Sequence, residues 1–88
     1  MKTSKQFERY FKGSANHHRI SILLLVSKSD GITLEDISTN LGVSFKTISG
    51  HTNKLVQAGL LNKKYQGRNV VHSLSLYGIK FVKFIQTF

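Results

Sequence analysis

Val43-Ser44-Phe45-Lys46-Thr47-Ile48-Ser49-Gly50-His51-Thr52-Asn53-Lys54-Leu55, followed by Ala58-Gly59-Leu60-Leu61, is the stretch that decides the fold. It reads as a polar helix without a single carboxylate, opened by Ser44 as N-cap and closed by Gly59 as C-cap. Val43 and Ile48 stand as a hydrophobic staple around that cap. Ile48, Leu55 and Ala58, joined by His51 or Thr52, make the inward stripe. Lys46, Thr47, Gly50, Asn53, Lys54 and Gln57 face away. A basic hairpin follows, Lys63-Lys64-Tyr65-Gln66-Gly67-Arg68-Asn69, which predicts strands over 60–65 and 70–76 around Gly67. On the second strand His72, Leu74 and Leu76 alternate toward one face, and Ser73 and Ser75 toward the other.

Moving back toward the N-terminus, Thr33 opens a shorter helix, with Asp36 three residues on as a capping box and Ile32 and Ile37 as its staple. Leu41-Gly42 ends it. Two short capped helices joined by a glycine-containing turn form a helix-turn-helix, and the hairpin adds a wing. The run at 20–26 is apolar nearly all round, which predicts a central buried helix ending near Lys28 and capped by Ser14 or Asn16. Residues 4–12 predict an amphipathic helix carrying Phe7, Tyr10 and Phe11 on one stripe, with Gly13 as its stop. The last helix spans 77–87. The expected fold class is therefore mainly α with a small antiparallel β-hairpin (α+β). It is a winged helix-turn-helix of about five helices and a two- to three-stranded wing, in one domain over 1–88.

Charge points to the partner. The chain has 88 residues and a formal net charge of +9. All four carboxylates, Glu8, Asp30, Glu35 and Asp36, precede residue 37, whereas Lys46, Lys54, Lys63, Lys64, Arg68, Lys80 and Lys83 follow it. Such a balance suits a polyanion, with nucleic acid ahead of a membrane surface. With no cysteine, disulfides and thiolate metal sites are excluded. There is no apolar leader and no run long enough to span a bilayer, so the expected location is the cytoplasm and no membrane partner is expected. No glycine-rich phosphate loop, thiol nucleophile or metal-ligand spacing is present, so no catalytic residue, metal or cofactor is assigned and no enzyme is expected.

The residues Leu34-Glu35-Asp36-Ile37, Leu41-Gly42-Val43-Ser44, Thr47-Ile48-Ser49-Gly50-His51, Lys54-Leu55 and Ala58-Gly59-Leu60 resemble ArsR-type winged-helix repressors, and MarR-type ones more distantly. The segment 67–74 is similar to that family's wing. The resemblance covers about residues 15–76 and implies a homodimeric transcriptional regulator, a repressor in the family's manner, paired through its first and last helices. It also implies that His51 is a packed histidine and that His72 stands where an aromatic is common. Two family features are missing. Asp36-Ile37-Ser38-Thr39 stands where arsenic-type sensors carry thiolates, and the last helix lacks the acid and histidine pairs of zinc-type sensors. The resemblance thus implies DNA binding without the metal sensing, and it names no small-molecule effector.

The expected DNA-binding residues are Ser44, Phe45, Lys46, Thr47, Ser49, Gly50, Asn53, Lys54, Lys63, Lys64, Arg68 and Asn69. The recognition helix, 44–58, enters the major groove, where its first turn reaches base edges. The wing, 62–72, lies on the backbone or in the minor groove. Phe45 either touches a thymine methyl or anchors the helix start in the core. Gly50 either brings the helix backbone close to DNA or reflects local packing. His17 and His18 are neighbours on a helix, pointing about 100° apart, and so are not expected to chelate together. Seven of the nine aromatics lie in the terminal segments, more than a thin core can bury. Phe7, Tyr10, Phe11, Phe81, Phe84, Ile85 and Phe88 are therefore expected at a homodimer interface. The alternative function is a winged-helix protein-interaction or RNA-binding module in a larger assembly.

Overall fold

A computed structural model describes all of residues 1–88. Five helices and a three-stranded sheet run in the order α1 (Ser4–Ser14), α2 (His17–Lys28), β1 (Ile32–Thr33), α3 (Leu34–Leu41), α4 (Phe45–Gln57), β2 (Leu61–Gln66), β3 (Asn69–Leu74) and α5 (Leu76–Ile85). The sheet is antiparallel with order β1-β3-β2. The hairpin is closed by Gly67 and Arg68 between the Gln66–Asn69 pair, and Gly67 has φ +62°, a conformation that glycine adopts without strain.

Each helix start has a side-chain acceptor for its orphan amides. Thr3 and Gln6 form a reciprocal capping box on α1: the Gln6 amide donates to Thr3 Oγ1 at 3.2 Å and the Thr3 amide to Gln6 Oε1 at 2.8 Å. Asn16, not Ser14, caps α2, its Oδ1 accepting from the His18 and Arg19 amides. On α3 the Thr33 half of the box is made, the Asp36 amide donating to Thr33 Oγ1 at 3.1 Å. Glu35 and Asp36 sit in that helix's first turn, where the macrodipole favours anions. Gly42 then takes φ +65° and reverses the chain into α4.

Ten apolar side chains form the core: Ile22, Leu23 and Val26 from α2, Ile37 from α3, Ile48, Leu55 and Ala58 from α4, Leu60 and Leu61 entering β2, and Val82 from α5. The inward stripe of α4 contains Thr52 and not His51. Thr52 is buried and donates its hydroxyl to the Ser49 carbonyl, whereas His51 is half-buried.

Three expectations need correction. The second helix is not buried all round. Leu24 and Leu25 are half-buried and Ile20 is exposed, because so small a domain has too few layers to wrap a helix completely. Gly13 does not stop α1, which continues to Ser14. Gly13 is instead the point where α1 crosses α4, and a Cβ there would overlap the Ala58 methyl. Leu76 does not extend the second strand but begins α5 and is exposed. The cause is Ser75. Its Oγ accepts from the Gly78 amide at 2.9 Å, capping α5, and donates to the Gly59 carbonyl at 2.6 Å. Gly78 in turn lies so close to the Leu60 carbonyl that a Cβ would overlap it.

Candidate nucleic-acid interface

The buried stripe of α4 fixes its outward face. With Ile48, Thr52 and Leu55 turned inward, helical geometry sends Lys46, Gly50, Asn53 and Gln57 outward, with Thr47 and Lys54 beside them. All six are exposed. Ser44 is exposed at the helix start, but its hydroxyl is engaged. It accepts from the Thr47 amide at 3.2 Å and donates to Thr47 Oγ1 at 2.9 Å. Thr47 consequently keeps its own hydroxyl proton free to donate outward. Ser49 is half-buried on the flank.

Phe45 is not a core anchor. It is 54% exposed and lines a small cleft of about 120 Å³ with Thr33, Leu34, Glu35 and, from the hairpin, Arg68, Asn69 and Val70. The wing tip and the start of α4 thus share one surface. A second tie lies further along, where Lys63 Nζ donates to Asn53 Oδ1 at 3.3 Å. Lys63, Lys64, Arg68 and Asn69 are all exposed. At Gly50 a Cβ would meet nothing within 4 Å, so close packing does not explain the glycine. The one salt bridge in the molecule joins Lys12 to Glu8 on α1. The cations of α4 and the hairpin therefore form no ion pair with a carboxylate.

The histidines pack against other side chains, and only the closeness of two of them goes beyond expectation. The His17 and His18 rings lie 4.1 Å apart, and His18 lies 5.4 Å from His51, so the neighbours in sequence come together in space. Arg19 Nε donates to His51 Nδ1 at 3.1 Å. Burial holds His51 below its usual pKa, and the neighbouring Arg19, His18 and His17 push it the same way. His72 is fully buried on β3, between Ile32 and Lys63 on the neighbouring strands, and its Nδ1 has no hydrogen-bond partner. Burial lowers its pKa, the Ile32 backbone partly offsets that, and Lys63 adds to it. Sequence reasoning missed Arg19 because its partner is 32 residues away. It missed Gly78 because nothing local marks a close approach to Leu60.

A second exposed surface lies on α1 and α5. Tyr10 packs on Tyr77 with ring centroids 5.4 Å apart, Phe11 meets Phe81 edge-on at 6.2 Å, and Phe84 meets Phe88 at 5.3 Å. Phe7, Tyr10, Phe11, Phe81 and Phe84 line one apolar groove of about 240 Å³. Phe7, Phe11, Phe84 and Phe88 are exposed, while Tyr10, Phe81 and Ile85 are half-buried.

The family model for bacterial regulatory proteins of the arsR family matches residues 16–63, from the start of α2 into β2. The chain belongs to that family. It is a DNA-binding transcriptional regulator. No curated protein sequence matches it. Among solved structures it is similar to reduced HlyU from Vibrio cholerae, with 24% identity and a TM-score of 0.84 over 96% of this chain and 88% of that one. A homodimeric winged helix-turn-helix DNA-binding domain from Mycobacterium bovis, described as a possible ArsR-family regulator, matches with 24% identity and a TM-score of 0.86 over 94% and 77%. A MarR protein from Peptoclostridium difficile matches at 21% and 0.80 over 89% and 53%. At these identities the likeness is one of fold: this arsR-family chain has the winged helix-turn-helix.

Proposed function

We propose that this regulator binds double-stranded DNA sequence-specifically as a homodimer and acts as a repressor. The observation that carries this reading is the unpaired cationic surface continuous across α4 and the hairpin. In it α4 enters the major groove. Lys46 and Thr47 read base edges from the first turn, with Phe45 offering an apolar edge to a thymine methyl. Ser44 fixes that turn, and Ser49 and Gly50 let the helix backbone sit close to the groove wall. Asn53, Lys54, Lys63, Lys64, Arg68 and Asn69 contact phosphates, which set register rather than sequence.

Pairing is supported by the exposed aromatics of α1 and α5, since an apolar surface of that kind is an association site. The homodimeric description of the Mycobacterium bovis domain points the same way. A two-fold dimer sets its recognition helices about one DNA turn apart, roughly 34 Å, so the operator is an inverted repeat. No helix is long and apolar enough to cross a membrane, and we place the regulator in the cytoplasm with its DNA.

A mobility shift on duplex DNA at rising salt tests this. With roughly 6–10 phosphates neutralised, affinity should fall about 10³–10⁵-fold between 50 and 200 mM salt. No binding at low salt, or binding indifferent to salt, rejects the reading.

A further inference from the structure

The first helix has two faces with different chemistry. Phe7, Tyr10 and Phe11 turn toward α5, whereas Lys5, Arg9 and Lys12 recur at helical spacing on the opposite side. Those three cations line a cleft of about 490 Å³ together with Arg19 and Lys54, and its only carboxylate is Glu8, which pairs with Lys12 at 3.6 Å. Lys54 belongs to α4, so the cleft borders the recognition helix directly.

The cleft is also held firmly to that helix. Gly13 and Ala58 let α1 and α4 touch without intervening side chains. Arg19 Nη1 donates to the Gly13 and Lys12 carbonyls at 3.3 and 3.5 Å, and its Nε donates to His51 on α4. Lys5 and Arg9 are exposed and make no ion pair.

Position supplies the rest. On the outward face of α4, Asn53 turns to one flank and meets Lys63 of the hairpin, while Lys54 turns to the other and meets the cleft. A major groove is about 12 Å wide and is bounded by two phosphate ridges. A helix seated in it meets one ridge on each flank. We propose that the cleft formed by α1, Arg19 and Lys54 binds the DNA phosphate ridge opposite the wing, so that α1 joins its neighbour with one face and grips the duplex with the other. This rests on the duplex-DNA reading above and adds Lys5, Arg9, Lys12 and Arg19 to it.

The test compares Lys5→Gln/Arg9→Gln with Lys28→Gln/Lys83→Gln, which removes the same net charge from exposed lysines outside the cleft. The readouts are the slope of log affinity against log salt on duplex DNA, the affinity ratio of a selected site to random sequence, and the melting temperature. Leaving two phosphates per protomer without their cations should make the slope shallower by about 1.8 per protomer for the cleft pair. Its site-to-random ratio should be unchanged, and the conservative Lys5→Arg/Arg9→Lys pair should keep the full slope. The control pair should shift the slope by less than half as much. Equal slopes for the cleft pair and wild type, or equal shifts in both pairs, overturn the proposal while leaving duplex binding in place. If wild type does not bind duplex at all, both readings fall together. Inorganic triphosphate separates the remaining source: loss of its binding in the cleft pair, with the duplex slope unchanged, would make the cleft a small-anion site and overturn its assignment to DNA.

Discussion

The surface made by α4 and the hairpin and the surface made by α1 and α5 are both exposed, and they are chemically opposite. The first carries Lys46, Thr47, Asn53, Lys54, Lys63, Lys64 and Arg68 without a carboxylate among them. The second carries Phe7, Phe11, Phe84 and Phe88, with exposures of 42, 54, 50 and 92%. Neither contributes much to the ten-residue core, which is drawn from α2, α3, the inner side of α4, the start of β2 and Val82. Tyr10 and Phe81 pack on that core from the second surface, but Phe7, Phe11, Phe84 and Phe88 lie outside it. Under the proposed function, phosphates suit the first set and a second apolar face suits the other.

The largest expected effect breaks the aromatic side of this contrast. Phe84→Glu places a charge in the α1/α5 groove and should leave a folded monomer, because Phe84 is half exposed and outside the core. Losing the second half-site should weaken operator binding by about 10²–10⁴-fold. Sedimentation at micromolar concentration checks the assembly. A wild-type monomer under those conditions, with Phe84→Glu behaving identically, removes the dimer.

A smaller effect sharpens the cationic side. Lys46→Ala and Thr47→Ala should each reduce discrimination between operator and random DNA by about 1–3 kcal/mol. Lys63→Ala and Arg68→Ala should weaken both sequences alike and make the salt dependence shallower by about 0.9 for each phosphate no longer neutralised. Competition binding with the two duplexes separates them. A change in sequence preference from the hairpin variants and none from the helix variants inverts the assigned roles.

Much of the scaffold was legible because its signals are local. Thr33, Ser44 and Gly42 act within a few residues of themselves: Ser44 and Gly42 do in space what their spacing implies, and Thr33 caps α3 with its own half of the expected box. The carboxylate-free character of α4 and the hairpin is a property of composition, so it survived every shift in element boundaries. What escaped was set by packing between distant segments. Gly13 looks like a helix stop until Ala58 is laid against it, and Leu76 continues the strand pattern until Ser75 bonds to the Gly59 carbonyl. The His18–His51 ring contact and the Arg19–His51 bond depend on α2 crossing α4, which no window of sequence contains. Lys5, Arg9 and Lys12 were overlooked for the same reason. On the chain they are ordinary surface cations, and only packing brings them beside Lys54.

The smallest expected effect concerns the scaffold that both surfaces share, and it turns on His72. This side chain is fully buried where β3 pairs with β1 and β2, and its Nδ1 has no partner. Desolvation, with Lys63 adding to it, depresses its pKa below the ordinary 6.5 in the folded chain. At about pH 7.5 the ring is neutral whether the chain is folded or not, and stability is intact. As the pH falls through 6.5 the unfolded chain takes up the proton first. Stability then declines by at most about 1.4 kcal/mol per pH unit for this group, until the pH passes below the folded-state pKa. His51, also depressed, acts in the same direction. His72→Phe removes the titrating ring and the orphaned nitrogen, whose burial costs about 1–3 kcal/mol. It should be at least as stable as wild type at about pH 7.5 and should lose less stability at about pH 5. Urea unfolding of both proteins at the two pH values decides the matter: equal losses on acidification would show that His72 does not couple this scaffold to protons.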